Sequence, residues 1–403
     1  MSTETMAKRW SSVMMDNYGL PPIALMAGQG SRVIDADGAE YLDFIAGIAV
    51  SSLGHRHPAV VEAVSRQVNT LTHTSNLFLH EPGLALAERL VELVDQPGAR
   101  VYFTNDGTEA NECALKIARL HGGKSGRSTV VSTDNSFHGR TLGSLSITGN
   151  PAKRLPFEPL PGPVTFVPYG DVEALARVVD RSVSAVFLEP TQGEGGIVPA
   201  PPGYLAAARR ICDEAGALLV IDEVQSGIGR TGRWFASLGP DRDSVRPDLL
   251  TLAKGLGGGL PIGACIGFGE AGELLTPGSH GSTFGGNPVS CAAALAVLDT
   301  IAEQNLLEHV RVVGARLFAG LAAIDDPLIA EIRGSGLWLG VVLVEDRAGA
   351  VEKAAAARGL LVNAVKPSVV RLAPPLIVTP IEVDDALAIL TEAVHEVSRA
   401  GSK

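Results

Sequence analysis

The sequence predicts an α/β protein: a mostly parallel, doubly wound large domain with helices on both faces, plus a smaller α+β C-terminal domain. Short apolar runs alternate with helical stretches from about Val101 to Phe268, the pattern of strands joined by crossover helices. One of these runs, Ala217 to Ile221, is apolar at every position, as expected of a strand buried on both faces. Chemistry-bearing residues, Asp222 and Lys254, stand where two such runs stop, and a third run ends at Glu189. Open α/β sheets bind ligands at the carboxyl ends of their strands.

Composition narrows the class. The 403 residues suffice for two to three domains, and 46% hydrophobic with 19% charged residues describes a packed globular chain, not a disordered one. No apolar stretch approaches the length of a membrane span. Met1 to Asn17 mixes Glu4, Lys8, Arg9 and Asp16 and has no apolar signal core, so neither a signal nor a transit peptide is expected. The four cysteines, Cys113, Cys212, Cys265 and Cys291, are dispersed and read as buried thiols of a cytoplasmic protein. A net charge of -11 weighs against nucleic acid but leaves anionic small substrates open, because local cationic pockets decide that.

Taken in order, Tyr18 to Pro22 is a turn or extended lead-in, and Arg32 to Asp43 reads as a hairpin around Asp37-Gly38. His55 and His57 lack a third ligand, so a turn before a helix from Pro58 to Val68 is expected, not a metal site. Pro82 to Val94 is an amphipathic helix. Val101 to Thr104 is a strand running through Asn105-Asp-Gly-Thr into a helix. Gly107 and Thr108 at that helix start could form a phosphate cup from free N–H groups and the Thr108 hydroxyl, or Thr108 could simply be an N-cap. Thr129 to Ser132 is a strand followed by a loop crowding Phe137, His138 and Arg140. Ser184 to Leu188, Ala217 to Ile221, Asp248 to Ala253 and Ala264 to Phe268 are further strands, with a helix from Tyr204 to Ala215. A helix from Val289 to Ala302 leads to strands within Glu331 to Val344 and Leu360 to Ala373, and to a closing helix from Asp384 to Ala400. The expected division is an N-terminal segment 1–45 packing with the small domain, a large domain 46–287 and a small domain 288–403.

Lys254 is the centre of the chemistry. An amine at the end of an apolar strand is desolvated, which lowers its pKa and favours the nucleophilic free base. A lysine that merely snorkels from a strand end is the plainer alternative. Pyridoxal phosphate explains the scattered pieces together. It needs a lysine for its aldehyde, which Lys254 supplies. It needs a carboxylate at its ring nitrogen, and Asp222 ends a buried strand where a carboxylate is costly unless paired. Phe137 can stack on the ring, and Gly107 with Thr108 can hold the phosphate.

The chain resembles the class III, ornithine-type aminotransferases of the pyridoxal-phosphate fold type I, nearly end to end. The likeness rests on GTEANE at Gly107–Glu112, FHGRT at Phe137–Thr141, DEVQSGIGRTG at Asp222–Gly232, TLAKGLGGGLPIGA at Thr251–Ala264 and GSTFGGNP at Gly281–Pro288. The resemblance implies that Lys254 binds the cofactor and shuttles protons. It also implies that Asp222 pairs with the pyridine nitrogen, Val224 backs the ring, Gln225 reaches the phenolic oxygen, Phe137 stacks, and Gly107 and Thr108 bind phosphate. Thr283 would reach the partner subunit's cofactor, making the enzyme a homodimer with shared sites. Arg140 would bind the carboxylate-bearing end of the substrate, with Ser282 and Tyr18 beside the substrate. Arg371 would take the α-carboxylate of glutamate, masked by Glu194 when the substrate is an ω-amine.

The implied reaction is transamination of N2-acetyl-L-ornithine with 2-oxoglutarate, reversible and part of arginine biosynthesis. Ornithine, succinyldiaminopimelate and 4-aminobutyrate are the alternative amine donors, and a decarboxylase or aminomutase is disfavoured by the Glu194/Arg371 pair. Gly47 to Ser52 lacks the tyrosine with which ornithine enzymes engage a free α-amine, and its small apolar lining favours an acylated one. Asp106 stands where the family more often has serine. A carboxylate there must point away from a phosphate, so Asp106 is left out of the phosphate ligands.

Overall fold

The computed structural model describes residues 2–123, 125–239 and 244–401. Its central sheet has seven strands, in chain order β1 Arg100–Thr104, β2 Thr129–Thr133, β3 Val164–Val167, β4 Val183–Leu188, β5 Leu218–Asp222, β6 Leu249–Leu252 and β7 Gly263–Gly267. The spatial order is β1-β7-β6-β5-β4-β2-β3. β5 runs parallel to β4 and β6, and β2 parallel to β3 and β4, while β7 is antiparallel to both β6 and β1. The reversal follows from chain length. Only residues 253–262 join β6 to β7, too few for the crossover that a parallel neighbour needs.

Both faces of the sheet are covered, which is why β5 is buried at every position. Leu218 and Val220 pack with Cys113, Ala114, Ile117 and Ala118 of the helix Gly107–Gly123, whereas Leu219 and Ile221 point into the larger core on the opposite face. The alternation continues through the strand end. Asp222 turns toward the cavity, while the side chain of Glu223 is tied inward by Ser226, Ala236 and Ser237 at 2.6–2.9 Å.

The C-terminal region forms an antiparallel sheet in the order Ile329–Ser335, Trp338–Leu343, Val369–Leu372, Asn363–Lys366, accompanied by the helices Leu306–Ala322, Ala348–Ala356 and Pro380–Gly401. The hairpin predicted near the N-terminus is present as Arg32–Asp35 paired with Glu40–Asp43. Asp35 Oδ1 closes its turn by accepting the amides of Asp37 and Ala39 at 2.9 and 2.8 Å. Leu360–Leu361 adds in parallel to Glu40–Asp43, so the N-terminal segment shares a sheet with the C-terminal part of the chain. Among the described residues no helix is long and apolar enough to cross a membrane.

Several elements lie outside the expectation. A helix spans Thr3–Val13 and a strand Leu25–Gln29. β3 sits just after the proline-rich Leu155–Pro163, whose breakers obscure its four residues. The closing helix starts at Pro380 because Thr379 and Glu382 form a capping box, Thr379 N donating to Glu382 Oε2 at 2.9 Å and Glu382 N to Thr379 Oγ1 at 3.2 Å.

Candidate active site

A cavity of about 500 Å³ opens at the carboxyl ends of β5 and β6. Nine of the residues singled out from the sequence line it: Gly107, Thr108, Phe137, Arg140, Glu194, Asp222, Val224, Gln225 and Lys254. In the parallel register Asp222 lies opposite Thr251, so Lys254 follows one short step beyond the neighbouring strand end.

Lys254 is in the left-handed backbone region, φ 44°, at the start of a 3-10 turn Lys254–Gly257. Its ammonium has no hydrogen-bond partner among the described residues. Burial, helped by the Arg371 guanidinium, lowers its pKa to about 8 against the opposing pull of Glu194, Asp222 and Glu189. A buried, unpartnered amine with a lowered pKa can act as a nucleophile.

Asp222 is treated in the opposite way. Its Oδ2 accepts from Asn111 Nδ2 at 2.7 Å and pairs with His138 Nδ1 at 2.8 Å, and its Oδ1 accepts from the Val224 amide at 2.9 Å. Asn111 is itself oriented, since its Oδ1 accepts from Thr251 Oγ1 at 2.9 Å and its amide also donates to the His138 carbonyl at 2.8 Å. Burial of the His138 ring disfavours its charged form, but the Asp222 hydrogen bond and charge raise its pKa above the ordinary histidine value. Nearby, Glu189 accepts from the Phe137 amide at 3.0 Å, and burial pushes its carboxyl up to about 7 against the pull of His138.

The helix start Gly107–Gly123 is capped by Asp106, not by Thr108. Asp106 Oδ1 accepts from the Glu109 amide at 2.9 Å, so this carboxylate is occupied along the helix. The Thr108 hydroxyl is committed as well: it accepts the amides of Arg140 and Thr141 at 3.0 and 3.3 Å and meets Thr141 Oγ1 at 3.0 Å. What remains for an anion is the pair of backbone amides of Gly107 and Thr108, which have no partner among the described residues. A Cβ on Gly107 would lie 2.6 Å from Val224 Cγ1, so only glycine leaves this wall of the cavity open.

These features fit pyridoxal phosphate. An unpaired amine, a wired carboxylate, a pair of free backbone amides and a buried Gln225 Nε2 without a partner converge on one cavity. Phe137 forms a flat wall, with Lys153 Nζ 4.7 Å and Arg140 Cζ 5.7 Å from its ring centroid.

Arg371 lies just behind this cavity, 3% exposed. Its Nη1 meets Glu194 Oε1 at 3.0 Å and its Nη2 donates to Asn363 Oδ1 at 2.7 Å. Burial lowers the guanidinium's pKa while Glu194 works the other way. Glu194 would be raised by burial, but Arg371, Lys153 and Lys254 bring it below the ordinary carboxylate value. The remaining three candidates are elsewhere. Ser282 and Thr283 line a neighbouring cavity of about 530 Å³, where Ser282 Oγ accepts from Gly285 N at 2.9 Å and from Asn105 Nδ2 at 3.3 Å. Tyr18 is 85% exposed and lines neither cavity.

The segment that lacks the ornithine enzymes' tyrosine begins in an irregular left-handed turn, with Ala46, Gly47, Ile48 and Ala49 at φ 48°, 63°, 68° and 62°. Such backbone costs about 1–2 kcal/mol per non-glycine residue. Asp43 Oδ1 holds it by accepting the Ile45 and Ala46 amides at 3.0 and 2.8 Å, and Ser52 Oγ donates to the Gly255 carbonyl beside Lys254 at 2.8 Å. It delivers Val50 into the cavity wall. His55 of the sequence's histidine pair is used locally, its Nε2 2.8 Å from Asp43 Oδ2.

Asn111, His138 and Lys153 were not singled out as site residues from the sequence, and Glu189 was noted only as a strand end. A signal existed for two of them. Glu189 follows a largely apolar, fully buried strand, much as Asp222 ends one, and Asn111 stands between Ala110 and Cys113 on a buried helix face.

The family model described as aminotransferase class-III matches residues 13–394. An acetylornithine aminotransferase of Mycolicibacterium smegmatis is 58% identical over 93% of this chain and 94% of its own length. One from Streptomyces coelicolor is 56% identical over 93% of this chain and 92% of its own. Among solved structures, the ornithine aminotransferase of Toxoplasma gondii superposes with a TM-score of 0.94 at 34% identity, covering 100% of this chain and 96% of that one. The N-acetylornithine aminotransferase of Stenotrophomonas maltophilia gives 0.83 at 37% identity, over 96% and 99%.

Proposed function

The chain belongs to the class III aminotransferases, and we propose that it moves the ω-amino group of N2-acetyl-L-ornithine to 2-oxoglutarate. The products are N-acetyl-L-glutamate 5-semialdehyde and L-glutamate, in a reversible step of arginine biosynthesis. The observation that carries the reading is the Glu194–Arg371 pair at 3.0 Å beside the unpaired amine of Lys254. An ω-amine brings no carboxylate to the reacting end, so a bare buried guanidinium there would be costly, and Glu194 neutralises it. Glutamate brings its own α-carboxylate and displaces Glu194. The names of the relatives favour acetylornithine, and the Val50 wall, with no tyrosine in Gly47 to Ser52, suits an acylated amine.

Pyridoxal phosphate, the family's cofactor, supplies when bound the aldehyde that accepts the amino group and the electron sink for breaking the adjacent C–H bond. Lys254 would hold the cofactor through its amine and would move the proton at the substrate's reacting carbon. Asp222 would pair with the ring nitrogen, Phe137 and Val224 would enclose the ring, Gln225 would offer its free amide to the phenolic oxygen, and the amides of Gly107 and Thr108 would hold the phosphate. Arg140 takes the carboxylate at the far end of the substrate, with Ser282 and Tyr18 beside it.

The active form in this reading is a homodimer, with Thr283 completing the partner's site. Its support is that Thr283 lies outside the Lys254 cavity, and that Leu77, Phe78 and Leu79 stand 86%, 68% and 86% exposed, an apolar run that a second copy would cover. The domain division at 45/46 and 287/288 and a cytoplasmic location belong to the same reading. The latter is supported by four buried free thiols, with Cys212 and Cys291 pushed up to about 12 by burial.

The test is a panel of acetylornithine, ornithine, succinyldiaminopimelate and 4-aminobutyrate with 2-oxoglutarate as acceptor. Acetylornithine should lead in kcat/KM by about tenfold or more. Ornithine turned over equally well would reassign the substrate. Mixing inactive Lys254→Ala and Thr283→Ala proteins should restore partial activity, and no recovery would remove the shared site.

A further inference from the structure

We propose that Lys153 is a second seat for Glu194. When a substrate α-carboxylate takes Arg371, the Glu194 carboxylate passes to the Lys153 ammonium, so one site serves both an uncharged chain end and a carboxylate. The inference rests on the transamination reading above and names how its substrate switch is completed.

The geometry is already that of an exchange. Glu194 spans the two cations, Oε1 lying 3.0 Å from Arg371 Nη1 and Oε2 lying 3.4 Å from Lys153 Nζ. A rotation of one carboxylate tightens the second contact as the first opens. The charges count the same way. Two cations share one carboxylate, leaving one positive charge uncompensated until a substrate carboxylate arrives. With Lys153 present, the arriving anion is the fourth charge and completes two pairs. Without it, the displaced Glu194 would be left in a largely enclosed place with no cation of its own, and an unpaired buried charge is costly.

Lys153 is built to stay there. It lies on the short helix Pro151–Arg154, whose cap Asn150 Oδ1 accepts the Ala152 amide at 3.1 Å. The next residue anchors the turn, Arg154 Nη1 donating to the Thr148 carbonyl at 2.6 Å while its guanidinium stacks 4.0 Å over Phe166. The Lys153 side chain is only 23% exposed and its amine lies against the Phe137 ring. The other nearby amines are committed elsewhere. Lys366 Nζ donates to Asn135 Oδ1 at 3.3 Å, and Lys254 is reserved for the chemistry. Burial, together with Arg140 and Lys366, lowers the Lys153 pKa, while Glu194 works the other way.

The experiment measures the two half-reactions separately by stopped flow, and glutarate binding to the holoenzyme by calorimetry, in Lys153→Met, Lys153→Arg, Glu194→Ala and the Lys153→Met/Glu194→Ala double variant. Glutarate is a dicarboxylate with no amino group to transfer. For Lys153→Met we expect the glutamate half-reaction and glutarate affinity to fall about tenfold, with the acetylornithine half-reaction within about twofold. Lys153→Arg should recover most of the loss. The double variant should be no worse with glutamate than Glu194→Ala alone, because no carboxylate is left to seat. Equal losses in both half-reactions for Lys153→Met, or a further drop in the double variant, would overturn the proposal, the latter by showing that Lys153 touches the substrate itself. Glu194→Ala separates the two levels. Equal damage to both half-reactions in that variant refutes the switch and the seat with it, whereas a biased Glu194→Ala beside an unbiased Lys153→Met refutes only the seat.

Discussion

Asp222 and Lys254 end neighbouring parallel strands, yet the chain surrounds them in opposite ways. Asp222 is held by Asn111, His138 and the Val224 amide, and its chief donor Asn111 is held in turn by Thr251. Lys254, one strand away, is strained at φ 44° and has no hydrogen-bond partner among the described residues. A group that must keep one charge and one position through a reaction benefits from saturation by donors. A group that must bond, release and carry protons loses reactivity with each partner it acquires. In the proposed reading, the contrast separates the fixed electrostatic element of the site, Asp222, from its mobile chemical one, Lys254.

The sharpest way to break this contrast is Lys254→Ala. Turnover should fall by about a thousandfold or more, and borohydride should no longer fix pyridoxal phosphate to the Lys254 peptide. Wild-type protein labelled on a different lysine would assign the free amine wrongly. Next in size is Asp222→Ala, with an expected loss of about 100- to 1000-fold in turnover and a much smaller loss in cofactor affinity, since in the proposed reading the Gly107 and Thr108 amides would supply the phosphate contacts. Near-normal single-turnover deamination would show that the wired carboxylate is only structural.

Asn111→Leu removes one donor from Asp222 and strands the Thr251 hydroxyl. It should cost about 1–3 kcal/mol in urea unfolding and reduce kcat about tenfold, less than Asp222→Ala. A stability loss with unchanged kcat would mean that the support around Asp222 serves folding alone.

The smallest effect is a shift in pH dependence. Burial first and Arg371 second lower the Lys254 amine to about 8. Its free base grows as pH rises, so capture of pyridoxal phosphate by the apoprotein should accelerate through about pH 8 and level off above it. Arg371→Met removes one lowering cause and should move the rise to higher pH. A profile that stays in place would leave burial as the sole cause.

Much of this site was legible because its residues are marked locally. Asp222 and Lys254 follow apolar runs, and Gly107 opens a helix after a strand, signals that need only neighbouring residues. The Thr108 hydroxyl shows where local reading stops. Its position suggested a phosphate ligand or a cap, but the folded chain spends it on the amides of Arg140 and Thr141, and Asp106 is the cap. The direction of β7 and the four-residue β3 were likewise illegible, the first because strand pairing is non-local, the second because the prolines before it dominate the local pattern.

By itself the sequence determined the fold class, the strand ends and the residue types that stand on them, since hydrophobic period and turn chemistry act over a few residues. Only the tertiary structure decided which polar groups meet. Asn111 reaches Asp222 across 111 positions, His138 reaches it across 84, and Glu194 reaches Arg371 across 177 and Lys153 across 41. Such pairs leave no periodic trace along the chain, because each exists only once separate strands and loops have been packed against one another and the groups buried there must be satisfied.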